Sequence, residues 1–125
     1  HIKEFHTIFP SINKKISNYE KIIKASRLCK CTIVLKGTNT LICSQLGKVV
    51  INKHASSELA VIGSGDVLSG IISSLVGKNK LNPFLSSCAG VWIHGDIAKK
   101  FGLGLIAEDI IKNIPKTLRK LKKTN

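Results

Sequence analysis

The sequence lacks any apolar run of the roughly 18 residues that a membrane-spanning helix requires. It begins at His1, without the apolar stretch of a secretory signal. Glycine and proline, at 10 and 3 of 125 residues, are too few for a low-complexity chain, and 43% of the residues are hydrophobic. These absences predict one soluble globular domain with a core of its own, in the cytoplasm.

Methionine is absent from all 125 positions. A chain that started where translation normally starts would carry one at its first residue. We therefore expect these residues to be a fragment or a processed piece, with part of the fold missing.

Cysteine is scarce and irregularly spaced. Cys29 and Cys31 form a single C-x-C pair, and neither Cys43 nor Cys88 belongs to a second pair that could complete a tetrahedral zinc site. The same spacing excludes the disulfide framework of small secreted domains. The sequence therefore predicts buried free thiols and no metal-ligating residues.

Acidic residues are also few, since 7 Asp and Glu stand against 20 Lys and Arg and leave a net charge of +13. Such a charge favours anionic partners. Six basic residues crowd the C-terminal tail: Lys112, Lys116, Arg119, Lys120, Lys122 and Lys123. With only four Phe, one Tyr and one Trp to stack on bases, nucleic acid is not an expected partner, and neither is a membrane. The tail is predicted to be a solvated helix face.

The first half of the chain predicts a helix followed by strands. Apolar residues recur at near-helical spacing from Ser17 to Lys30, and Thr32–Leu35 is a short apolar run typical of a buried strand. A polar stretch, Lys36–Thr40, ends that strand. Two further runs, Leu41–Cys43 and Val49–Ile51, flank a turn-like segment and predict a hairpin.

The second half predicts helices. Asn82 and Pro83 combine an N-cap residue with proline at the first helical position, and this helix is expected to continue to Phe101. A further helix is predicted near Ile106, with an interruption at Pro115. This order of elements indicates an α/β fold and one half of a larger sheet, with helices on both faces of its strands.

The segment Gly63–Asp66, Gly-Ser-Gly-Asp, precedes an apolar stripe with helical spacing that begins at Val67. The first amides of a helix are unsatisfied and its dipole is positive there, so glycines at this point let a phosphate approach the backbone. Asp66 either complements the dipole, as acids do in many helices, or aligns a substrate hydroxyl with the phosphate. The second interpretation predicts phosphoryl transfer.

Five segments carry a resemblance to a known family: His-Ile-Lys-Glu-Phe at His1–Phe5, then Val34–Thr40, Gly63–Ile71, Gly90–Ala98 and Leu105–Pro115. In this order they resemble the bacterial ADP-dependent NAD(P)HX dehydratases, ribokinase-like proteins that repair hydrated nicotinamide dinucleotides. The likeness spans nearly the whole chain but only about the C-terminal half of the family's domain. It implies that residues 1–125 are the C-terminal part of a ribokinase-like three-layer α/β/α sandwich, with the N-terminal half absent.

The resemblance implies a hydro-lyase. ADP or ATP, with Mg²⁺, would phosphorylate the 6-hydroxyl of NADHX or NADPHX, and loss of phosphate would regenerate NADH or NADPH. The intact protein is expected to be a homo-oligomer. One alternative is a small-molecule kinase of the same superfamily, although sugar kinases more usually carry Gly-Ala-Gly-Asp. The other is a non-catalytic remnant that at most binds nucleotide or another subunit.

The resemblance also implies site residues. Two segments would bind the nucleotide: Lys36, Gly37, Thr38, Asn39 and Thr40, and then Gly63, Ser64 and Gly65. Asp66 would be the catalytic residue that faces the substrate hydroxyl. His1, which matches the histidine of the family's H-P-x-E-F segment, would be a second substrate contact. His94 is predicted to be a packing histidine outside the site.

The chain departs from the family's pattern at two places. Ile2 and Lys3 stand where the family usually has Pro-Gly, and Ala55 and Ser56 stand where a Gly-Asn pair usually precedes the catalytic loop. The second departure removes a possible contact with phosphate or substrate. Expressed alone, the chain is expected to self-associate through an open sheet edge, to bind ADP weakly if at all, and to be inactive.

Overall fold

The computed structural model describes residues 1–78 and 80–123. The helices and strands in this part follow in the order α1 (Ile2–Ile8), α2 (Asn18–Cys29), β1 (Ile33–Leu35), β2 (Thr40–Cys43), β3 (Val49–Asn52), a 3-10 turn (Ser57–Leu59), α3 (Ser64–Gly77), α4 (Pro83–Phe101) and α5 (Ala107–Lys123). No helix within these ranges combines the length and the apolar character needed to cross a bilayer.

The three strands form one antiparallel sheet with β2 in the centre. Leu41 of β2 is opposite Leu35 of β1 on one side and opposite Ile51 of β3 on the other. The predicted strand after α2 and the predicted hairpin are both confirmed. β1 is an edge strand in the described part of the chain.

Helices cover both faces of the sheet. Successive side chains of a strand point to opposite faces, and all of β2 is buried. Leu41 and Cys43 pack in one cluster with residues of α1 and α2, whereas Ile42 packs with residues of α3 and α4. The helical members of these clusters include Phe5, Ile22 and Ala25 on the first face and Leu68 and Val91 on the second. The result is a helix layer, a sheet and a second helix layer.

Local capping explains where two helices begin. Ser17 and Glu20 form a capping box at the start of α2, with the Ser17 hydroxyl accepting from the Glu20 amide at 3.1 Å. Asn82 caps α4 through a 2.8 Å hydrogen bond from the Leu85 amide, and Pro83 follows at the first helical position. Both predicted starts are confirmed, whereas the short α1 was not predicted.

α5 runs through Pro115, so the predicted interruption of this helix is wrong. Proline removes one amide donor and crowds the preceding turn, which usually kinks or ends a helix. Here Pro115 is exposed, while Ile110 before it and Thr117 after it are buried. Burial on both sides of the proline outweighs the lost hydrogen bond.

The cysteines are free thiols, as predicted, but only Cys43 is fully buried. Cys29 and Cys31 are exposed and Cys88 is half-buried. Cys29 is the last residue of α2 and Cys31 lies in the connection to β1. The prediction of burial is wrong for this pair because the backbone leaves the core at the end of the helix.

Candidate active site

A cleft of about 490 Å³ opens where the turn between β1 and β2, the start of α1 and the middle of α4 meet. The first half of the chain contributes His1, Lys36, Gly37, Thr38, Thr40 and Asn52 to its lining. The segment after β3 contributes Ala55, Ser56, Ser57, Leu59 and Ala60, and α3 and α4 contribute Leu68, Val91, His94 and Gly95. Five residues predicted from the sequence therefore share one cleft.

The turn between β1 and β2 forms one wall. Lys36 directly follows β1 and is half-buried, and Thr40 is the first residue of β2 and is buried. Asn39 is exposed in the same turn and does not belong to the cleft lining given above. His1 caps α1, with its Nδ1 accepting a hydrogen bond from the Lys3 amide at 3.3 Å.

The N-terminus of α3 lies beside this turn. Gly63 caps the helix with a φ of 82°, in the left-handed region that favours glycine. Ser64 is 1% exposed, and its Oγ donates to the Leu59 carbonyl at 2.7 Å. A Cβ added at Gly65 would lie 3.3 Å from Lys36 Nζ, so this ammonium group reaches the first turn of α3. The lysine charge and the unsatisfied amides of the helix meet at one place, which suits an anion.

His94 supports the same turn from α4. Its Nε2 lies 2.9 Å from the Ser64 carbonyl oxygen, and the residue is 2% exposed. Burial lowers the pKa of His94 to about 4; the hydrogen bond to Ser64 acts in the opposite direction, and the charge of Lys36 lowers the pKa further. The ring is therefore neutral at pH 7, and Nε2–H donates to the carbonyl, which can only accept. His94 is the hydrogen-bonded packing histidine that the sequence predicted, but it lines the cleft, whereas the sequence predicted a position outside the site.

A second link joins the segment after β3 to α4. His54 Nε2 lies 3.1 Å from Asp96 Oδ1, and the His54 ring stacks on Trp92 with the ring centroids 5.2 Å apart. Lys100 donates a hydrogen bond to the other carboxylate oxygen, Oδ2. Burial opposes ionisation of Asp96, but the hydrogen bonds from Lys100 and His54 outweigh it and hold its pKa below the usual value.

Gly95 lets this segment approach α4 closely. A Cβ at Gly95 would lie 1.9 Å from the His54 carbonyl oxygen, a distance that no side chain could tolerate. Ala55 and Ser56, which stand where the resemblance implies a Gly-Asn pair, follow directly and line the cleft. The Ser56 hydroxyl accepts a hydrogen bond from the Glu58 amide at 3.2 Å. The departure from the family's pattern therefore lies in the cleft wall.

Asp66 lies on the other side of the first turn of α3. It is exposed and lines a groove of about 780 Å³ between α3 and α5. Within the described ranges, no residue belongs to the linings of both this groove and the cleft. The structure thus brings Lys36 to Gly65 but separates Asp66 from the cleft that contains His1.

An anion at the start of α3 would have the cleft on one side and Asp66 on the other. This arrangement can transfer a group from a donor in the cleft to an acceptor beside Asp66. Over residues 1–78 and 80–123, no three His, Cys, Asp or Glu side chains converge on a metal position. Mg²⁺ bound with a nucleotide does not need such a group, since water and substrate phosphates supply most of its ligands.

Sequence reasoning missed the link between His54 and Asp96. The available signal was a histidine and an aspartate inside the otherwise apolar Gly90–Ala98 segment, because polar groups buried in a helix need partners. Lys100, four residues after Asp96, is a local partner, but the second partner, His54, is 42 residues away in the sequence. Nothing in the local pattern identifies it.

The chain is similar to known proteins along most of its length. Residues 1–116 match the model of a family described as NAD(P)H-hydrate dehydratase. A bifunctional NAD(P)H-hydrate repair enzyme of Thermosynechococcus vestitus is 32% identical over 96% of this chain and 25% of its own length. An ADP-dependent (S)-NAD(P)H-hydrate dehydratase of Neisseria meningitidis is 39% identical over 70% of this chain and 31% of its own length. The chain thus spans a third or less of these two relatives.

Solved structures agree on the fold. A Bacillus subtilis ADP/ATP-dependent NAD(P)H-hydrate dehydratase, co-crystallised with ATP and Mg²⁺ and soaked with CoA, matches 83% of this chain with a TM-score of 0.77 and 24% identity. The matched part is 40% of the Bacillus chain. The ribokinase-like α/β fold predicted from the sequence is confirmed, and the chain belongs to the NAD(P)H-hydrate dehydratase family.

Proposed function

We propose that this chain is part of an enzyme that uses ADP or ATP to dehydrate NADHX and NADPHX, and that its cleft binds the adenine nucleotide. The observation that carries the proposal is the approach of Lys36 Nζ to the first turn of α3 at Gly65. A lysine beside a helix N-terminus is suited to phosphate groups. Membership of the family over residues 1–116 supports the reaction class. The name of the Neisseria relative supports the donor and the substrate.

The proposed nucleotide contacts lie on both sides of the phosphate position. The turn between β1 and β2, with Lys36, Gly37, Thr38, Asn39 and Thr40, would hold one side. Gly63, Ser64 and Gly65 would hold the other side, with Gly65 offering its backbone amide, because the Ser64 amide already donates to the Val61 carbonyl at 3.3 Å. Because His94 and Leu59 hydrogen-bond to Ser64, this turn is already held in place before a ligand binds.

Asp66 is the proposed catalytic residue. His1 would be a second substrate contact, reached by a part of NADHX or NADPHX that extends past the start of α3 into the cleft. The Asp66 carboxylate would accept a hydrogen bond from the 6-hydroxyl of NADHX or NADPHX. The terminal phosphoryl group then leaves the nucleotide for that hydroxyl oxygen, and the hydroxyl proton passes to Asp66. Because the transition state is loose, little proton removal is needed early. Breaking the C–O bond releases phosphate, and loss of a proton from the neighbouring ring carbon restores the double bond of NADH or NADPH.

The position of Asp66 suits this role, because it lies across the first turn of α3 from the cleft. A donor in the cleft and an acceptor in the α3–α5 groove would meet at the helix N-terminus, whose positive dipole end would stabilise the negative charge of the transferred phosphoryl group. Mg²⁺ bound with the nucleotide would neutralise charge on the phosphate oxygens. Asp66 is the carboxylate adjacent to that position.

A non-catalytic remnant is the second candidate, and the cleft wall favours it. The wall at Ala55 and Ser56 has no side-chain amide, and the Ser56 hydroxyl already caps the 3-10 turn.

The proposed enzyme has a cytoplasmic location, which the four free thiols support. It is also a homo-oligomer, which exposed apolar side chains such as Ile62 and Leu103 support.

Nucleotide titration of three variants tests the site. Lys36→Ala should weaken binding of MgADP and MgATP in calorimetry by about tenfold or more, because it removes a charge-assisted hydrogen bond. Lys112→Ala removes the same charge from the exposed face of α5 and should leave the affinity unchanged. Asp66→Asn should change nucleotide affinity by less than about twofold, since it is assigned to the acceptor.

Turnover separates the two candidates. The enzyme proposal requires that the intact protein containing this chain recovers reduced nicotinamide absorbance from NADHX, and that Asp66→Asn abolishes this turnover. Nucleotide binding without turnover by that intact protein supports the remnant, because the chain alone is expected to be inactive under both candidates. Equal losses of affinity in Lys36→Ala and Lys112→Ala would contradict the cleft as the nucleotide site.

A further inference from the structure

Two cysteines outside the cleft form a dithiol at the end of α2. Cys29 Sγ and Cys31 Sγ lie 2.9 Å apart, and both residues are exposed. The residue between them, Lys30, is in the left-handed conformation with a φ of 51°. This bend ends the helix and turns the chain so that residue 31 passes beside residue 29. The two sulfurs are therefore held together by the helix cap.

The other two cysteines are less accessible to solvent than Cys29 and Cys31. Cys43 is 0% exposed, and its sulfur lies 3.2 Å from Ser26 Oγ in the core. Cys88 is half-buried, and desolvation raises its pKa. A thiol reacts as the exposed thiolate, so burial protects both. The chain thus contains two sheltered thiols and one accessible dithiol.

We propose that Cys29 and Cys31 form a reversible intrachain disulfide by exchange with a small anionic disulfide such as oxidised glutathione. In the first step the Cys29 thiolate attacks one glutathione sulfur, and reduced glutathione leaves. In the second step Cys31 attacks the Cys29 sulfur of the mixed disulfide, and a second glutathione leaves. The two cysteine thiol protons pass to the two departing glutathione thiolates, so two cysteines are oxidised to a disulfide and one glutathione disulfide is reduced to two thiols.

The hydrogen bonds assign the order of attack. Cys29 Sγ lies 3.0 Å from the Ala25 carbonyl, which can only accept, so Cys31 is the thiol that donates to the Cys29 sulfur. This hydrogen bond is the main cause that raises the pKa of Cys31 to about 11, with desolvation next. Cys31 is therefore the weaker nucleophile in the first step, so attack begins at Cys29 and Cys31 is the resolving sulfur.

Charge favours an anionic oxidant at this place. Arg27 and Lys30 are exposed on either side of Cys29, and the whole chain carries +13. The carboxylates of glutathione would be attracted to these groups. The site lies before β1, whereas Lys36 follows it, so the inference does not depend on the proposed nucleotide site.

Intact-mass spectrometry of the full chain in glutathione buffers of stepped redox ratio tests the proposal. The unmodified chain should lose the mass of two hydrogen atoms, without a retained glutathione adduct, and peptide mapping should join Cys29 to Cys31. Cys31→Ser should instead accumulate the glutathione adduct on Cys29, because the resolving thiol is gone. Cys88→Ser is the matched control and should oxidise as the unmodified chain does.

Several outcomes would overturn the proposal. A stable glutathione adduct on the unmodified chain would show that Cys31 does not resolve it. If Cys43 or Cys88 is oxidised at a rate within about tenfold of the rate for Cys29 and Cys31, proximity and exposure do not make the pair more reactive. If Cys29 and Cys31 are not oxidised at any of the glutathione redox ratios tested, the proposed dithiol site is contradicted. Circular dichroism of each variant checks that the fold is retained.

Discussion

Helices α4 and α5 are neighbours of similar length, 19 and 17 residues, but they are buried in different ways. Ten residues of α4 are buried, among them Gly90, His94, Gly95 and Asp96. Only Ile110 and Thr117 are buried in α5, whose exposed residues include Ile111 and Leu118 as well as the basic side chains of the tail. An enclosed helix needs a fitted residue at nearly every position, whereas a one-sided helix needs only its apolar stripe. The candidate site depends on the enclosed helix.

Gly95→Ala should give the largest effect. The new Cβ would lie 1.9 Å from the His54 carbonyl, so α4 and the segment after β3 must separate. We expect the free energy of unfolding to fall by about 3 kcal/mol or more in urea denaturation. Gly70→Ala is the matched control, because a Cβ there meets nothing within 4 Å, and it should stabilise the exposed face of α3 by about 0.5–1 kcal/mol. Equal effects of the two variants would show that α4 is no more enclosed than α3.

The buried His94 predicts acid sensitivity. The unfolded chain takes up this proton near pH 6.5 and the native ring only near pH 4, so the unfolded state binds more protons between these values. Stability is therefore complete above pH 6.5 and is lost as the pH falls towards 4, by up to about 3 kcal/mol. Urea midpoints across this range measure the loss.

His94→Gln should flatten that pH dependence, since glutamine can still donate to the Ser64 carbonyl and does not titrate. His6 also has a lowered pKa, through desolvation and then the charges of Lys21 and Lys14, and remains in both proteins, so the difference between their curves isolates His94. Asp96 affects the stability in a separate, more acidic pH range. Its pKa is lowered, so its contribution is lost only below its usual value of 3.8. Parallel curves for the two proteins would contradict the assignment to His94.

Pro115→Ala should give the smallest effect, and in the opposite direction. The substitution restores an amide donor and removes ring crowding in α5, which together should raise the free energy of unfolding by about 3 kcal/mol. The unfolded chain gains conformational freedom when proline is lost, and this lowers the free energy of unfolding by about 1 kcal/mol. We expect a net gain of about 2 kcal/mol in the same urea assay. Arg119→Ala on the exposed face should change stability by less than about 0.5 kcal/mol. A loss in Pro115→Ala would mean that the proline itself packs, contrary to its exposure.

Much of the fold was predictable because its signals are local. The start of α2 at Ser17, the start of α4 at Asn82-Pro83 and the apolar run of β2 each depend on residues within four positions of one another. Pro115 shows the limit of such signals. The local rule predicted a break, but burial of the neighbouring turns overrode it.

The sequence by itself determined the family, the helix that begins within Gly-Ser-Gly-Asp and the residue types suited to a phosphate. Only the tertiary structure decided which of them meet. Lys36 reaches Gly65 because β1 ends where α3 begins, and His94 meets Ser64 across 30 residues because α4 packs on α3. Because of the same packing, Asp66 lines the groove between α3 and α5 and not the cleft. Helix periodicity determines which side of a helix a residue occupies, but the neighbour on that side depends on how the layers stack, and no short-range pattern encodes this.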